Sequence, residues 1–92
     1  MAGGWRVYIL ECADGTLYTG IAVDLERRLA QHNGDSPGGP KYTRGRRPVR
    51  LLWSAQAEDR SAASKREAAI KKLSRREKLV LVAAKHESAP AT

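Results

Sequence analysis

Apolar and polar positions alternate at a period of two along three stretches of the chain, and elsewhere apolar residues recur every three to four positions. Trp5, Val7, Ile9 and Glu11 alternate with Arg6, Tyr8, Leu10 and Cys12. A first strand is expected there, with apolar residues on both faces and cover on each side. Leu17, Thr19, Ile21 and Val23 alternate with Tyr18, Gly20 and Ala22, a small second face that leaves room beside Tyr18. Ala13-Asp14-Gly15-Thr16 between the two runs reads as a hairpin turn. A third strand follows over 49–55, started by Pro48, with Val49, Leu51, Trp53 and Ala55 on one face.

The turn decides whether the two tyrosines can cooperate. A two-residue loop at Asp14-Gly15 would pair Tyr18 with Glu11 and Tyr8 with Ile21, sending the phenols to opposite faces. A shared site needs a three-residue or bulged turn, for example Asp14-Gly15-Thr16 with Gly15 or a neighbour left-handed, and that form is expected. Gly20, inside a strand, marks either a simple bulge or a point where another backbone or a ligand comes close.

Helices are expected over 25–33, 62–73 and from Ser74 to about Lys85. The first is capped by Asp24, has Glu26 at the positive end of its dipole and is stopped by Asn33-Gly34. Leu25 and Leu29 form its apolar stripe, and Arg28 and His32, four apart, share the adjoining face. The second is capped by Asp59 or Ser61, with Ala62, Ala63, Ala69, Ile70 and Leu73 inward, Arg66 near the middle of that stripe and Glu67 at its edge. The third begins with the capping box Ser74-Arg75-Arg76-Glu77 and is apolar nearly all round from Leu79 to Ala84. Residues 1–85 are expected to form one domain, and 86–92 a flexible tail.

Between Asp35 and Pro48 the composition is that of a loop. Pro37-Gly38-Gly39-Pro40 has no regular structure to form. Lys41-Tyr42-Thr43-Arg44-Gly45-Arg46-Arg47 gathers four positive charges around one aromatic, which suits either a phosphate backbone with a base stacked on Tyr42 or a plain solvated loop.

Composition narrows the function classes. Ninety-two residues allow one small core. The single cysteine, Cys12, excludes an intrachain disulfide and a cysteine-rich zinc site. No apolar run reaches membrane-spanning length and Met1-Ala2-Gly3-Gly4 lacks a signal-peptide core, so a soluble cytoplasmic protein is expected. The formal charge of +7 is uneven: residues 1–40 carry −2 and residues 41–92 carry +9. The basic half suits a polyanion, nucleic acid before an acidic membrane surface.

Val7-Tyr8-Ile9 and Tyr18-Thr19-Gly20, with Arg28 one helix later and Glu67 in Arg66-Glu67-Ala68-Ala69-Ile70-Lys71-Lys72, resemble the GIY-YIG nuclease superfamily. Lys41-Tyr42-Thr43-Arg44 and Lys71-Lys72-Leu73-Ser74-Arg75 look like its small single-domain bacterial branch, often called YhbQ-like. The resemblance covers residues 5 to about 82. It implies an α+β fold, a three-stranded antiparallel sheet flanked by helices, and cleavage of DNA phosphodiesters with Mg²⁺ or Mn²⁺ in repair or processing. On that reading Glu67 holds the metal, Tyr18 takes a proton from the attacking water, Tyr8 lies hydrogen-bonded nearby, Arg28 binds the phosphoryl oxygens, and His32 carries a proton or binds phosphate. Gly20, Lys41, Tyr42, Thr43, Arg44, Arg46 and Arg47 are the expected nucleic-acid contacts. Two positions depart from several superfamily members: Ile21 follows the glycine, where they have a lysine or histidine, and no asparagine follows Asn33. The expected partner is DNA more than RNA, with low sequence specificity, no membrane, and a monomer or weak homodimer as the active form. The alternative is a nucleic-acid-binding protein of the same fold with weak catalysis.

Overall fold

The computed structural model describes residues 4–88. β1 (Trp5–Glu11) is the centre of a three-stranded antiparallel sheet, flanked by β2 (Leu17–Ala22) and β3 (Arg50–Ala57) in the order β2-β1-β3. β1 is buried from Val7 to Leu10, as its double-sided apolar pattern requires. On one face Val7, Ile9 and Trp53 pack with Ala63 and Ile70 of α3 (Arg60–Lys71) and with Leu81 and Val82 of α4 (Arg75–Ser88). On the other, Tyr8, Leu10, Cys12, Ala22 and Val49 pack with Tyr18 and with Leu25 and Leu29 of α1 (Leu25–His32). This is the small α+β architecture expected. No described helix is long and apolar enough to cross a membrane.

The hairpin register is the one that unites the tyrosines. Tyr8 pairs with Gly20 and Leu10 with Tyr18, so residues 8, 10, 18 and 20 share a face. The turn is Ala13-Asp14-Gly15, one residue earlier than the expected example. Gly15 N donates to Cys12 O and Cys12 N to Thr16 O, both at 2.9 Å, and Gly15 takes a φ of +86°. That is a type I turn followed by a left-handed residue, the usual three-residue hairpin.

Four further features differ from the sequence reading. β3 carries a bulge: Ile9 pairs with Trp53 but Leu10 pairs with Leu51, leaving Leu52 extra. The alternation therefore changes phase at Leu52, so Val49 packs beside Leu10 and not beside Trp53, and Leu51 is 39% exposed. α3 starts at Arg60 because Asp59 caps it, accepting from Ala62 N at 2.8 Å, and Ala69 is exposed. The loop segment contains one helical turn, α2 (Lys41–Arg44), in which glycine and proline do not occur and from which Thr43 is buried. The capping box forms as read, with Glu77 N to Ser74 Oγ at 3.1 Å and Ser74 N to Glu77 Oε1 at 2.8 Å. The backbone expected to fray from His86 is helical to Ser88, and residues 89–92 lie outside the described residues.

Candidate functional site

Gly20 is buried, and the room its missing side chain leaves is taken by Tyr8. A Cβ there would stand 2.5 Å from Tyr8 Oη and 2.7 Å from Cζ. What comes close to this glycine is a phenol, so its expected role as a nucleic-acid contact gives way to a packing role.

From Gly20 the Tyr8 hydroxyl is aimed across the sheet face at α1. It lies 2.9 Å from His32 Nε2, while His32 Nδ1 lies 3.0 Å from Thr43 Oγ1 and Thr43 Oγ1 donates to Pro40 O at 3.2 Å. A carbonyl only accepts, and a hydroxyl has one proton. Thr43 must therefore accept from His32 Nδ1–H, and the unprotonated Nε2 must accept from Tyr8. Burial first, then the charges of Arg28 and Arg47, hold the His32 imidazole down to about 4, in keeping with this neutral form. His32 and Thr43 are fully buried. Neither side chain reaches solvent, so the expected phosphate contacts by Thr43 and His32 are corrected: both position Tyr8 and tie α2 to the sheet.

Burial also pushes the Tyr8 phenol up to about 12; the neighbouring Arg28 guanidinium opposes the rise, while the charges of Tyr18 and Glu67 add to it. Arg28 is half-buried on α1, its Nη1 donating to Gln31 Oε1 at 2.8 Å and to Gly38 O at 3.3 Å. Gln31 was not foreseen, though its place three residues after Arg28 on one helix is the signal that would have found it. The open hollow beside Arg28 is lined by Trp5, Val23, Asp24 and Arg27 among others, and includes neither Tyr18 nor Glu67.

Glu67 lies at the edge of the inward stripe of α3, beside the buried Ala63 and Ile70; its side chain is 23% exposed and pairs with Lys71 Nζ at 3.3 Å. Arg66, expected in that stripe, instead lays its guanidinium over the Trp53 ring, 5.4 Å from the centroid. Among the described residues no three His, Cys, Asp or Glu side chains gather as a ready metal cage.

The basic segment divides between structure and surface. Arg46 Nε binds Asp14 Oδ2 at 3.0 Å, its Nη1 donates to Tyr42 O at 2.8 Å, and its guanidinium lies 4.1 Å over the Tyr42 ring. Tyr42 packs on Tyr18 at 5.4 Å, and Tyr18 stands edge-on to His32 at 5.1 Å. The Tyr42 ring, expected to await a base, already carries Arg46 on a face. Arg47 Nε donates to His32 O at 2.7 Å, a clamp on the end of α1. Lys41 and Arg44 are exposed. Asn33, read as a helix stop, makes a two-way latch to β3: its Nδ2 donates to Val49 O at 3.1 Å and its Oδ1 accepts from Val49 N at 2.7 Å.

A paired-tyrosine hairpin backed by an arginine helix on a three-stranded sheet is the arrangement of a small α+β domain of the GIY-YIG kind. The GIY-YIG catalytic domain family matches residues 4–79, and the chain belongs to that family. Within it, its relatives carry the designation UPF0213. The chain is 55% identical over 80 residues to a UPF0213 protein of Desulfotalea psychrophila, covering 87% of this chain and 72% of that one. A UPF0213 protein of Natronomonas pharaonis is 52% identical, covering 90% and 95%. The solution NMR structure of a UPF0213 protein from Bacillus halodurans superposes with a TM-score of 0.57 at 44% identity, over 89% of this chain and 85% of that one.

Proposed function

We propose that this protein is a nucleic-acid-binding domain that holds a backbone phosphate at Arg28, with DNA the first ligand to consider. The observation that carries the reading is the preset guanidinium: Gln31 Oε1 and Gly38 O fix one of its nitrogens, and the remaining donors suit the fork geometry that phosphate accepts. Lys41 and Arg44, both exposed, add charge along the approach. The test is titration of labelled DNA across a range of salt with the parent and Arg28→Ala. The parent should bind with a steep salt dependence and the variant more weakly; a parent that does not bind removes the reading.

A second reading, metal-assisted hydrolysis of a phosphodiester, is favoured by one further observation: Tyr18 shares a sheet face with Tyr8, and α1, which carries Arg28, packs on that same face. Mg²⁺ is content with one or two carboxylates and keeps several waters, so Glu67 as the single protein ligand fits that ion, once Lys71 yields its place. The ion would supply positive charge to a phosphoryl oxygen. For the chain's own part, Arg28 stabilises charge growing on the phosphate, Tyr18, half-buried where Tyr8 is fully so, is the phenol that can meet an attacking water, and Tyr8 stays protonated and orients its neighbours. This reading places the protein with the YhbQ-like branch, in the cytoplasm, in DNA repair or processing, as a monomer or weak homodimer. A nicking assay with Mg²⁺ or Mn²⁺ separates the two. Cutting by the parent that disappears in Tyr18→Phe and Glu67→Ala, with binding retained, supports hydrolysis; binding without cutting on plasmid, single-stranded, flap and RNA substrates leaves the binding domain.

A further inference from the structure

We propose that the hollow lined by Thr16, Leu17, Arg75 and Lys78 is a second phosphate site, which takes the sugar–phosphate backbone of the same nucleic-acid strand beyond Arg28. The inference rests on the nucleic-acid reading above and gives that strand a direction. Arg75 and Lys78 stand three apart on α4, so their side chains emerge on one face and wall one side of the hollow. Arg75 is held in place, because its Nη1 donates to Gly15 O at the hairpin turn. One of a guanidinium's five donors is thereby used and the others remain for an anion.

The acids nearby have other partners. Glu77 accepts from Ser74 N at 2.8 Å, and Asp14 accepts from Thr16 Oγ1 at 2.7 Å and from Arg46 Nε at 3.0 Å. Thr16 has therefore committed its hydroxyl proton to Asp14 and serves as a wall of the hollow, leaving the binding to Arg75 and Lys78.

The hollow is also connected to the Tyr8 site through touching groups. Tyr18 stands against His32 at 5.1 Å, Tyr42 packs on Tyr18 at 5.4 Å, Arg46 lies over Tyr42 at 4.1 Å, and Arg46 reaches Asp14, the residue before Gly15. A strand whose phosphate sits at Arg28 and whose backbone follows the outer edge of this stack, past the Arg46 guanidinium, arrives at the turn, where the next cations are Arg75 and Lys78. Aromatic groups interleaved with cations are what a backbone-tracking surface needs.

The test is binding of fluorescein-labelled single-stranded DNA, and of RNA of the same sequence, followed by anisotropy across salt. Lys78→Ala should lower the slope of log K against log salt by about 0.7, and Arg75→Ala together with Lys78→Ala by about twice that, with either nucleic acid. Lys78→Ala carries the test because Arg75 also holds the turn, and a thermal melt of each variant reports whether the fold is intact. Lys65→Ala is the control: Lys65 is exposed on the side of α3 opposite the buried Ala63 and Ile70 and lines neither hollow, and its removal should leave the slope unchanged. A parent that binds while Lys78→Ala and the double variant keep its slope overturns the second site alone. A parent that does not bind takes the nucleic-acid reading with it.

Discussion

Alanine at Gly20 should disrupt the site from inside while leaving every charged group in place. Its Cβ would lie 2.5 Å from Tyr8 Oη, 2.7 Å from Cζ and 3.2 Å from Tyr18 Cε2, and the first two are closer than real Cβ contacts come. Tyr8 cannot swing aside cheaply, since its ring is 1% exposed and its hydroxyl is held 2.9 Å from His32 Nε2. Overpacking a core costs about 1–3 kcal/mol, and breaking a buried hydrogen bond so that its partner is left unsatisfied costs about 1–3 kcal/mol more. Removing a glycine from a strand returns about 0.5–1 kcal/mol. A net loss of about 2–4 kcal/mol follows, a large part of the roughly 5–15 kcal/mol that holds a domain together. Urea unfolding should show the midpoint fall with the slope unchanged. The explanation is specific to the hydroxyl and its bond, so it is checked in a double-mutant cycle. In a Tyr8→Phe background the ring is no longer pinned and the shortest contact is gone, and Gly20→Ala should cost at least about 0.5 kcal/mol less than in the parent. Equal costs in the two backgrounds, or a neutral Gly20→Ala, would refute the packing account.

Other outcomes follow from the same network. His32 is held to about 4 against its ordinary 6.5, so the unfolded chain binds the extra proton between those values; its contribution is full above about pH 6.5 and is lost as pH falls toward 4, by up to about 1.4 kcal/mol per unit. Stability measured at pH 7 and pH 5 should fall less in His32→Gln than in the parent, and an identical fall would assign the dependence to other groups. Asn33→Ala should lose about 2–3 kcal/mol through its paired bonds to the Val49 backbone, seen as a lower melting temperature; a change within about 0.5 kcal/mol would mean that water replaces the latch. Thr19 Oγ1 is buried and has no hydrogen-bond partner among the described residues. Thr19→Val keeps the shape and removes the orphan, so the melting temperature should rise by a few degrees, about 1 kcal/mol, and a drop would show that the hydroxyl has a partner in solution.

What could be read from the sequence was whatever a period or a cap encodes. Tyr8 and Tyr18 were assigned to one face by a condition on the turn, and the register meets that condition. The Asp24 and Asp59 caps and the Ser74–Glu77 box also formed where local chemistry placed them. Contacts between segments far apart in the chain were not legible. A bulge at Leu52 leaves no mark in an alternating run, so Val49 was assigned to the wrong face. The partnership of His32 with Thr43 joins α1 to a segment read as loop, and neither residue type signals it. Helical periodicity puts Glu67 at the edge of its stripe, where the structure has it, but periodicity alone does not single it out as a site residue.

The same distinction bears on how a basic chain should be read. A charge of +9 beyond residue 40 suggested a phosphate-binding surface, yet Arg46 is bound to Asp14 and stacked on Tyr42, Arg47 clamps the end of α1, Arg50 pairs with Glu11 at 2.7 Å, and Arg66 covers Trp53. These arginines hold the loop, the hairpin and the helices to one another. Arginine suits that work because its planar fork binds a carboxylate or carbonyl while its face lies on a ring. The cations left to meet a polyanion are then fewer and differently placed than the count implies. Among those that remain, Lys41 and Arg44 lie on α2, Arg75 and Lys78 beside the hairpin, and Arg28 between Gln31 and the glycine loop, while Arg27, Lys65, Lys72 and Arg76 are also exposed. A nucleic acid bound here should then show a salt dependence that reflects fewer phosphate contacts than the full excess of positive charge implies.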